Sequence, residues 1–131
     1  MQAKGPFDVK VIPVAEDKSE DPPLGRFSLD KRYHGDLEAS SKGEMLTAGS
    51  IATGSAGYVA IERVTGTLHG RQGSFALQHT GTMNRGAPTL SIHVVPGTAT
   101  GELAGLSGTM NIIIAEGKHS YEFEYQISAT G

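Results

Sequence analysis

A β-hairpin between Gly57 and Met83 constrains the fold of this chain more than any other feature, because its register can be inferred from the residues. Two runs rich in β-forming residues flank the segment from His69 to Gln72. We expect Gly70-Arg71 to form a two-residue type II′ turn, since glycine suits the positive φ of the first central position. The hairpin therefore predicts two long antiparallel strands with a defined pairing.

This pairing predicts that Glu62 lies opposite His79 on one face of the hairpin, since alternate side chains of a strand share a face. The same face carries the larger apolar side chains, so we take it as the interior. These side chains are Tyr58, Val64, Phe75, Leu77 and Met83. A carboxylate and an imidazole are thus expected to meet on a buried face. A register shifted by two residues would make the pair diagonal, and a shift of one would separate it.

The composition excludes several classes of protein. A chain of 131 residues predicts one domain over residues 1–131. The absence of cysteine excludes disulfides and cysteine-based sites, and it is compatible with the cytosol. A net charge of −3 provides no basic surface for nucleic acid. The N-terminal residues lack a signal-peptide core and no apolar run reaches membrane-spanning length, so we expect a cytoplasmic protein without membrane contact.

Six further runs have the period-two pattern of strands. They are residues 7–14, 24–34, 37–51, 89–95, 102–115 and 120–128. Pro13 is expected to stop the first strand because proline cannot donate to a sheet, and the charged residues 15–23 predict an exposed loop. A turn at Gly117-Lys118 predicts that Met110 faces Tyr125 in the last hairpin. The barrel core is expected to span about residues 7–128.

Eight antiparallel runs with short connections, and no sustained helical period, predict an all-β protein. A closed up-and-down barrel and a related sandwich both fit this pattern, and closure favours the barrel because it removes exposed sheet edges. The interior of an eight-stranded barrel is either filled by its own side chains or holds one small ligand.

The chain also resembles an uncharacterised bacterial family of small single-domain proteins. Four runs carry the resemblance, which covers about Phe7 to Ile127: GRFSLDKRYHGDLEA, GYVAIERVTGTLHGRQGSFALQHTGTM, VVPGTATGELAGLSGTM and YEFEYQI. It implies an eight-stranded antiparallel barrel like that of plant allene oxide cyclase, and a homo-oligomer, most simply a dimer, formed through outer faces. Allene oxide cyclase and bacterial polyketide cyclases act on apolar substrates inside such barrels. This sequence lacks their active-site motifs, so their chemistry is an analogy of fold alone.

His79 is the candidate catalytic residue, with Glu62 holding its tautomer and raising its basicity so that it serves as general base or acid. The alternative is a buried polar pair that only satisfies its own hydrogen bonds. Lys31 shares a face with apolar residues and is either a pocket cation or, more commonly for lysine, a stem on apolar surface with its ammonium in water. The remaining histidines have no metal-binding spacing, so neither a metal nor a cofactor is expected.

Aromatic and aliphatic residues of the interior are the candidate ligand contacts. They are Tyr33, Tyr58, Phe75, Leu77, Met83, Tyr121, Phe123 and Tyr125. For most of the tyrosines, the favoured alternative is a core ring whose hydroxyl reaches the rim of the barrel.

Three functions remain open from the sequence. The first is a module that binds an apolar small molecule in the lumen, with Glu62 and His79 fixing its polar end. The second is a cofactor-free cyclase or isomerase in which His79 moves a proton. The third is a packed barrel with a structural role or a role in oligomerisation. A cavity beside Glu62 and His79 would favour the first two functions, and a filled interior would favour the third.

Overall fold

The computed structural model of the protein describes residues 1–128 and shows a closed antiparallel barrel. Each strand pairs with the next along the chain and the last pairs with the first, which confirms the eight-stranded barrel expected from the sequence. Residues 129–131 of the predicted domain lie outside the described residues. The likeness to plant allene oxide cyclase stays a prediction.

The strands are β1 (Gln2–Asp17), β2 (Leu24–Tyr33), β3 (Leu37–Ser50), β4 (Ser55–Leu68), β5 (Arg71–Asn84), β6 (Ala87–Val94), β7 (Leu106–Ala115) and β8 (Lys118–Ile127). Two short 3-10 turns, Ile51–Thr53 and Gly101–Leu103, are the helical segments of the described chain. Within residues 1–128 there is no helix with the length and apolar character needed to cross a bilayer.

Three hairpin turns begin with a non-glycine residue in the left-handed region. These residues are His69 (φ 47°), Arg85 (φ 51°) and Glu116 (φ 53°), and a glycine of positive φ follows each of them. Two successive positive φ angles are typical of the type I′ turn, whose twist matches that of the flanking strands. In each of these hairpins the glycine is therefore the second of the two turn residues, so the turn begins one residue earlier than a turn in which glycine is the first.

The predicted pairing was consequently wrong by two residues in both hairpins. His79 lies opposite Ala60, and Glu62 lies opposite Leu77. In the last hairpin Met110 lies opposite Phe123 instead of Tyr125. Because side chains alternate with period two, a shift of two residues leaves every side chain on its predicted face.

The bounds of several strands also differ from the prediction: β6 begins at Ala87 instead of residue 89, β8 begins at Lys118 instead of residue 120, and the largest changes are in β1 and β7. β1 continues past Pro13 to Asp17, with a break in register between Pro13 and Ala15. Proline is tolerated there because β8 pairs only with residues 2–6 of β1, so the backbone at Pro13 has a strand on one side alone. β7 begins at Leu106 instead of residue 102, because residues 102–105 form a 3-10 turn and a loop.

One half of the barrel interior is filled by large side chains. Fully buried members include Leu37, Leu68, Phe75, Leu103, Tyr121 and Phe123. Phe75 and Phe123 stack with ring centroids 5.9 Å apart. This end carries the loops that connect β2 with β3, β4 with β5 and β6 with β7. We call it the packed half. The opposite end, where β1 and β2 are joined by residues 18–23, is the mouth.

Candidate functional site

Five polar side chains meet inside the barrel between the packed half and the mouth. They are Lys31, Tyr33, Ser41, Glu62 and His79, and none is more than 6% exposed. The neighbouring strands β2, β3, β4 and β5 supply them from inward-facing positions. We call this group the Glu62 cluster.

The carboxylate of Glu62 is the centre of the cluster and accepts four hydrogen bonds. Its Oε2 atom accepts from Nζ of Lys31 at 2.7 Å and from Nε2 of His79 at 2.6 Å. Its Oε1 atom accepts from Oγ of Ser41 at 2.9 Å and from the hydroxyl of Tyr33. An ionised carboxylate has about four lone-pair sites, so these donors satisfy it completely.

The cluster holds Glu62 ionised. Burial raises the pKa of the Glu62 carboxyl, but the hydrogen bond from His79 and the positive charge of Lys31 more than offset it, so the pKa falls to about 2. Burial and the adjacent Glu62 charge raise the pKa of Tyr33 well above its ordinary value, so its hydroxyl stays a donor. With Lys31 cationic, the cluster is neutral when His79 is neutral.

Acid unfolding should report this shift. The folded pKa of Glu62, about 2, lies below its ordinary value of 4.5, so the contribution of Glu62 to stability is complete above pH 4.5 and is lost as the pH falls to about 2. A shift of this size corresponds to about 3 kcal/mol. Urea unfolding at a series of pH values should show a steep loss across this window, and Glu62→Gln should flatten it. Equal pH slopes for the two proteins would contradict the shift.

Two sequence-based interpretations of this region change. Glu62 and His79 are diagonal neighbours across β4 and β5 rather than a directly opposed pair, yet they remain in hydrogen-bond contact. The Lys31 ammonium was expected in water, but it lies inside the barrel because Glu62 attracts it. Ser41 was missed. The only signal was its place in a run of small residues, and one of these, Gly43, lies opposite Glu62 and gives it room.

A cleft of about 750 Å³ opens at the mouth. Its walls include Phe27, Met45, Ala56, Tyr58, Met83 and Leu90. Glu16 and Lys18, an ion pair of 3.3 Å, lie at its edge. The cleft is therefore an apolar space with its charged side chains confined to the rim.

The structure divides the predicted ligand contacts into three groups. Tyr58 and Met83 line the cleft, and Tyr33 belongs to the Glu62 cluster. The others lie in the packed half and do not line the cleft: Phe75, Leu77, Tyr121, Phe123 and Tyr125.

The hydroxyls of the two tyrosines in the packed half reach the loops at the end of the barrel. Tyr121 donates to the carbonyl of His34 at 2.7 Å and accepts from the amide of Leu37 at 2.8 Å. The hydroxyl of Tyr125 bonds to Nδ1 of His69. Both are core rings with satisfied polar ends, which was the favoured interpretation for most of the tyrosines.

Tyr58 connects the cleft with the Glu62 cluster. Its ring lies 6.5 Å from the imidazole of His79, measured between centroids, and it also forms part of the cleft wall. The ring lies over Gly81, where a Cβ atom would come within 2.3 Å of it. The cleft and His79 are therefore separated by little more than one ring. Residues 1–128 contain no group of three or more metal-ligating side chains placed to hold an ion.

Comparison with known proteins places the chain among proteins without an assigned activity. A family described as "Protein of unknown function (DUF3224)" matches residues 3–125. A crystal structure of a protein of unknown function from that family, from Shewanella oneidensis MR-1, is similar with a TM-score of 0.92. The two sequences are 50% identical, and the match covers 98% of this chain and 97% of the other. No curated protein matches the chain.

Proposed function

Since the chain belongs to the DUF3224 family, whose description is that of proteins of unknown function, we propose from its geometry that it binds an apolar small molecule in the cleft at the mouth. The cleft carries this proposal. Its volume of about 750 Å³ suits a small organic ligand. Apolar walls with a few polar groups at one end are typical of such sites.

The division of the barrel supports the same function. The packed half has no space for a ligand beside Phe75 and Phe123, whose exposed fractions are 2% and 0%. The mouth is lined instead by half-buried side chains such as Phe27, Met45 and Tyr58. Burying these groups under a ligand would remove apolar surface from water, which favours binding.

The test is titration with a neutral apolar fluorophore, N-phenyl-1-naphthylamine, with and without a side chain that fills the cleft. We expect saturable binding of one probe per chain, and at least a tenfold loss of affinity in Ala56→Trp, because Ala56 lines the cleft. Ala115→Trp is the matched control, since Ala115 is exposed and lies outside the cleft. Absent saturation, or equal affinity in the two variants, would contradict the proposal.

A second proposed function is catalysis without a cofactor, as a cyclase or isomerase. The observation that favours it is the buried contact of 2.6 Å between Glu62 and His79, which orients the imidazole for proton transfer. Native mass spectrometry of the protein from its own host would identify any retained molecule. Incubating that molecule with fresh protein separates the two functions, because a binder returns it unchanged and an enzyme converts it.

We also propose that a second copy of the chain covers the outer face of β3 and β4. Three adjacent aliphatic side chains, Leu46, Val59 and Ile61, are each at least 50% exposed there. Leu46 and Val59 are directly paired. The ion pair of Arg26 and Glu44 borders this patch, so its rim carries both signs of charge and can complement an identical face across a two-fold axis.

Analytical ultracentrifugation tests the proposed dimer. We expect a dimer for the unaltered chain and a monomer for Val59→Lys, because a charge at the centre of an apolar interface is costly to bury. Ile113→Lys is the matched control, since Ile113 is a 40% exposed aliphatic residue on β7. A monomeric unaltered chain, or dissociation by Ile113→Lys alone, would contradict the proposal.

A further inference from the structure

We infer that the polar end of the ligand is a hydroxyl group, and that it donates a hydrogen bond to Nδ1 of His79. This inference rests on the proposed binding function and adds the chemical class of the ligand. Three observations support it. They are the hydrogen bonds of the Glu62 cluster, the lack of a partner at Nδ1 of His79 and at the hydroxyl of Tyr58, and the position of the cleft beside these two residues.

The contact with Glu62 fixes the tautomer of His79. An ionised carboxylate can only accept hydrogen bonds, so Nε2 of His79, 2.6 Å from Oε2 of Glu62, carries a proton. In a neutral imidazole the other nitrogen, Nδ1, then has a free lone pair. Lys31 already balances the charge of Glu62 at 2.7 Å, and a cluster that contains the neutral imidazole carries no net charge.

The lone pair of Nδ1 is available to a ligand. Nδ1 has no hydrogen-bond partner within residues 1–128, whereas every fully buried side-chain nitrogen and oxygen of these residues has one. Nδ1 is therefore not fully buried, although His79 as a whole is only 3% exposed. On one side of His79 along β5 lies the buried Leu77, and on the other lies Gly81, part of the cleft wall. A ligand in the cleft would therefore approach His79 from the side of Gly81, which shares the inward face of β5 with His79.

Tyr58 supplies a second polar atom at the same place. Its hydroxyl also lacks a partner among the described residues, and its ring both lines the cleft and lies 6.5 Å from the imidazole of His79 between centroids. Burial and the charge of Glu62 raise the pKa of Tyr58, so the hydroxyl remains protonated and can donate. A lone pair on His79 and an O–H on Tyr58 together match a hydroxyl group, which both donates and accepts.

A carboxylate matches this site poorly. The Lys31 ammonium is directed at Glu62, and Nδ1 of His79 presents a lone pair that repels an anion. An anionic ligand would also lose hydration in a low-dielectric site without gaining a counter-ion. The cleft is therefore expected to select phenols and alcohols over acids of the same shape.

Three probes that differ only in the polar end test this inference. They are para-hexylphenol, its methyl ether para-hexylanisole, and para-hexylbenzoate, each titrated by calorimetry near neutral pH. We expect the phenol to bind about tenfold tighter than the ether, which cannot donate, because one hydrogen bond to a buried acceptor contributes about this factor. The benzoate is expected to bind at least tenfold more weakly than the phenol.

His79→Gln is the informative variant, because the glutamine amide reaches the position of Nε2 and can still donate to Glu62 while no acceptor remains at Nδ1. We expect it to lose the preference for phenol over ether. His93→Gln, at a half-buried position near the end of β6 and outside the cleft lining, should retain the preference. Equal binding of phenol and ether by the unaltered chain, or tighter binding of the benzoate, would overturn the inference and leave the cleft as an apolar binding site. Failure of all three probes to bind would overturn the binding function as well.

Discussion

Replacing Glu62 with glutamine is expected to lower the free energy of unfolding by about 3–5 kcal/mol. The carboxylate is fully buried, and its removal leaves the ammonium of Lys31, which is 6% exposed, without a counter-ion. It also replaces an acceptor of four hydrogen bonds with an amide that accepts at one end only. Urea unfolding monitored by far-ultraviolet circular dichroism measures the change.

The double variant Lys31→Met with Glu62→Gln separates two costs: leaving the Lys31 ammonium without a counter-ion, and losing the other hydrogen bonds of the Glu62 cluster. It removes the stranded charge, so it should recover at least half of the stability lost in Glu62→Gln. The methionine side chain has nearly the volume of the lysine stem. A single change that costs less than about 1 kcal/mol, or a double variant less stable than the single one, would contradict the role of Glu62 as the charge partner of Lys31.

Phe123→Ala is expected to destabilise the barrel by about 3–5 kcal/mol. The ring of Phe123 is fully buried and stacks with Phe75 at 5.9 Å and with Tyr125 at 5.3 Å between centroids. Truncation opens a cavity in a region where rigid aromatic rings on several strands leave little scope for collapse. Thermal or urea unfolding measures the effect.

Met83→Ala provides the contrast from the mouth. Met83 lines the cleft and is only partly buried, so its truncation enlarges a space that is already open. We expect a loss below about 1 kcal/mol. Similar losses for Phe123→Ala and Met83→Ala would contradict the division of the barrel into a packed half and an open mouth.

The architecture could be predicted because a register error of two residues leaves each side chain on its predicted face. The glycine-containing turns identified the hairpins, and the inward face carrying Glu62, Leu77 and His79 was assigned correctly although the pairing was shifted by two residues. The shift arose because His69 and Glu116 adopt a left-handed conformation that glycine would adopt more readily. Nothing in residue type alone distinguishes that arrangement from a turn that begins one residue later.

The composition of the Glu62 cluster was only partly predictable. The sequence indicated the contact between Glu62 and His79 through their shared face, but Lys31 and Ser41 come from β2 and β3, and the residue pattern gave no register for these strands against β4. These contacts depend on how β2, β3 and β4 pair and on which carboxylate oxygen of Glu62 is nearest to each strand. The position of the cleft could not be predicted from the sequence either. Alternation identifies the inward residues, but it does not show at which end of the barrel they leave space.

The described structure gives the polar cluster two properties at once. It contributes to stability, since Glu62 holds four donors from four buried side chains. It also holds the imidazole of His79 through Nε2, next to the ring of Tyr58 that lines the cleft. A site of this kind is preorganised, because its orientation is already fixed by Glu62 before a ligand arrives.

A crystal structure of the protein with para-hexylphenol tests the central claim most directly, which is that the mouth cleft is a ligand site ending at His79. We predict the alkyl chain between Phe27, Met45 and Met83, with the phenol oxygen within hydrogen-bond distance of Nδ1 of His79. A probe bound only on the outer surface of the barrel, with the cleft closed over by Tyr58, would contradict it.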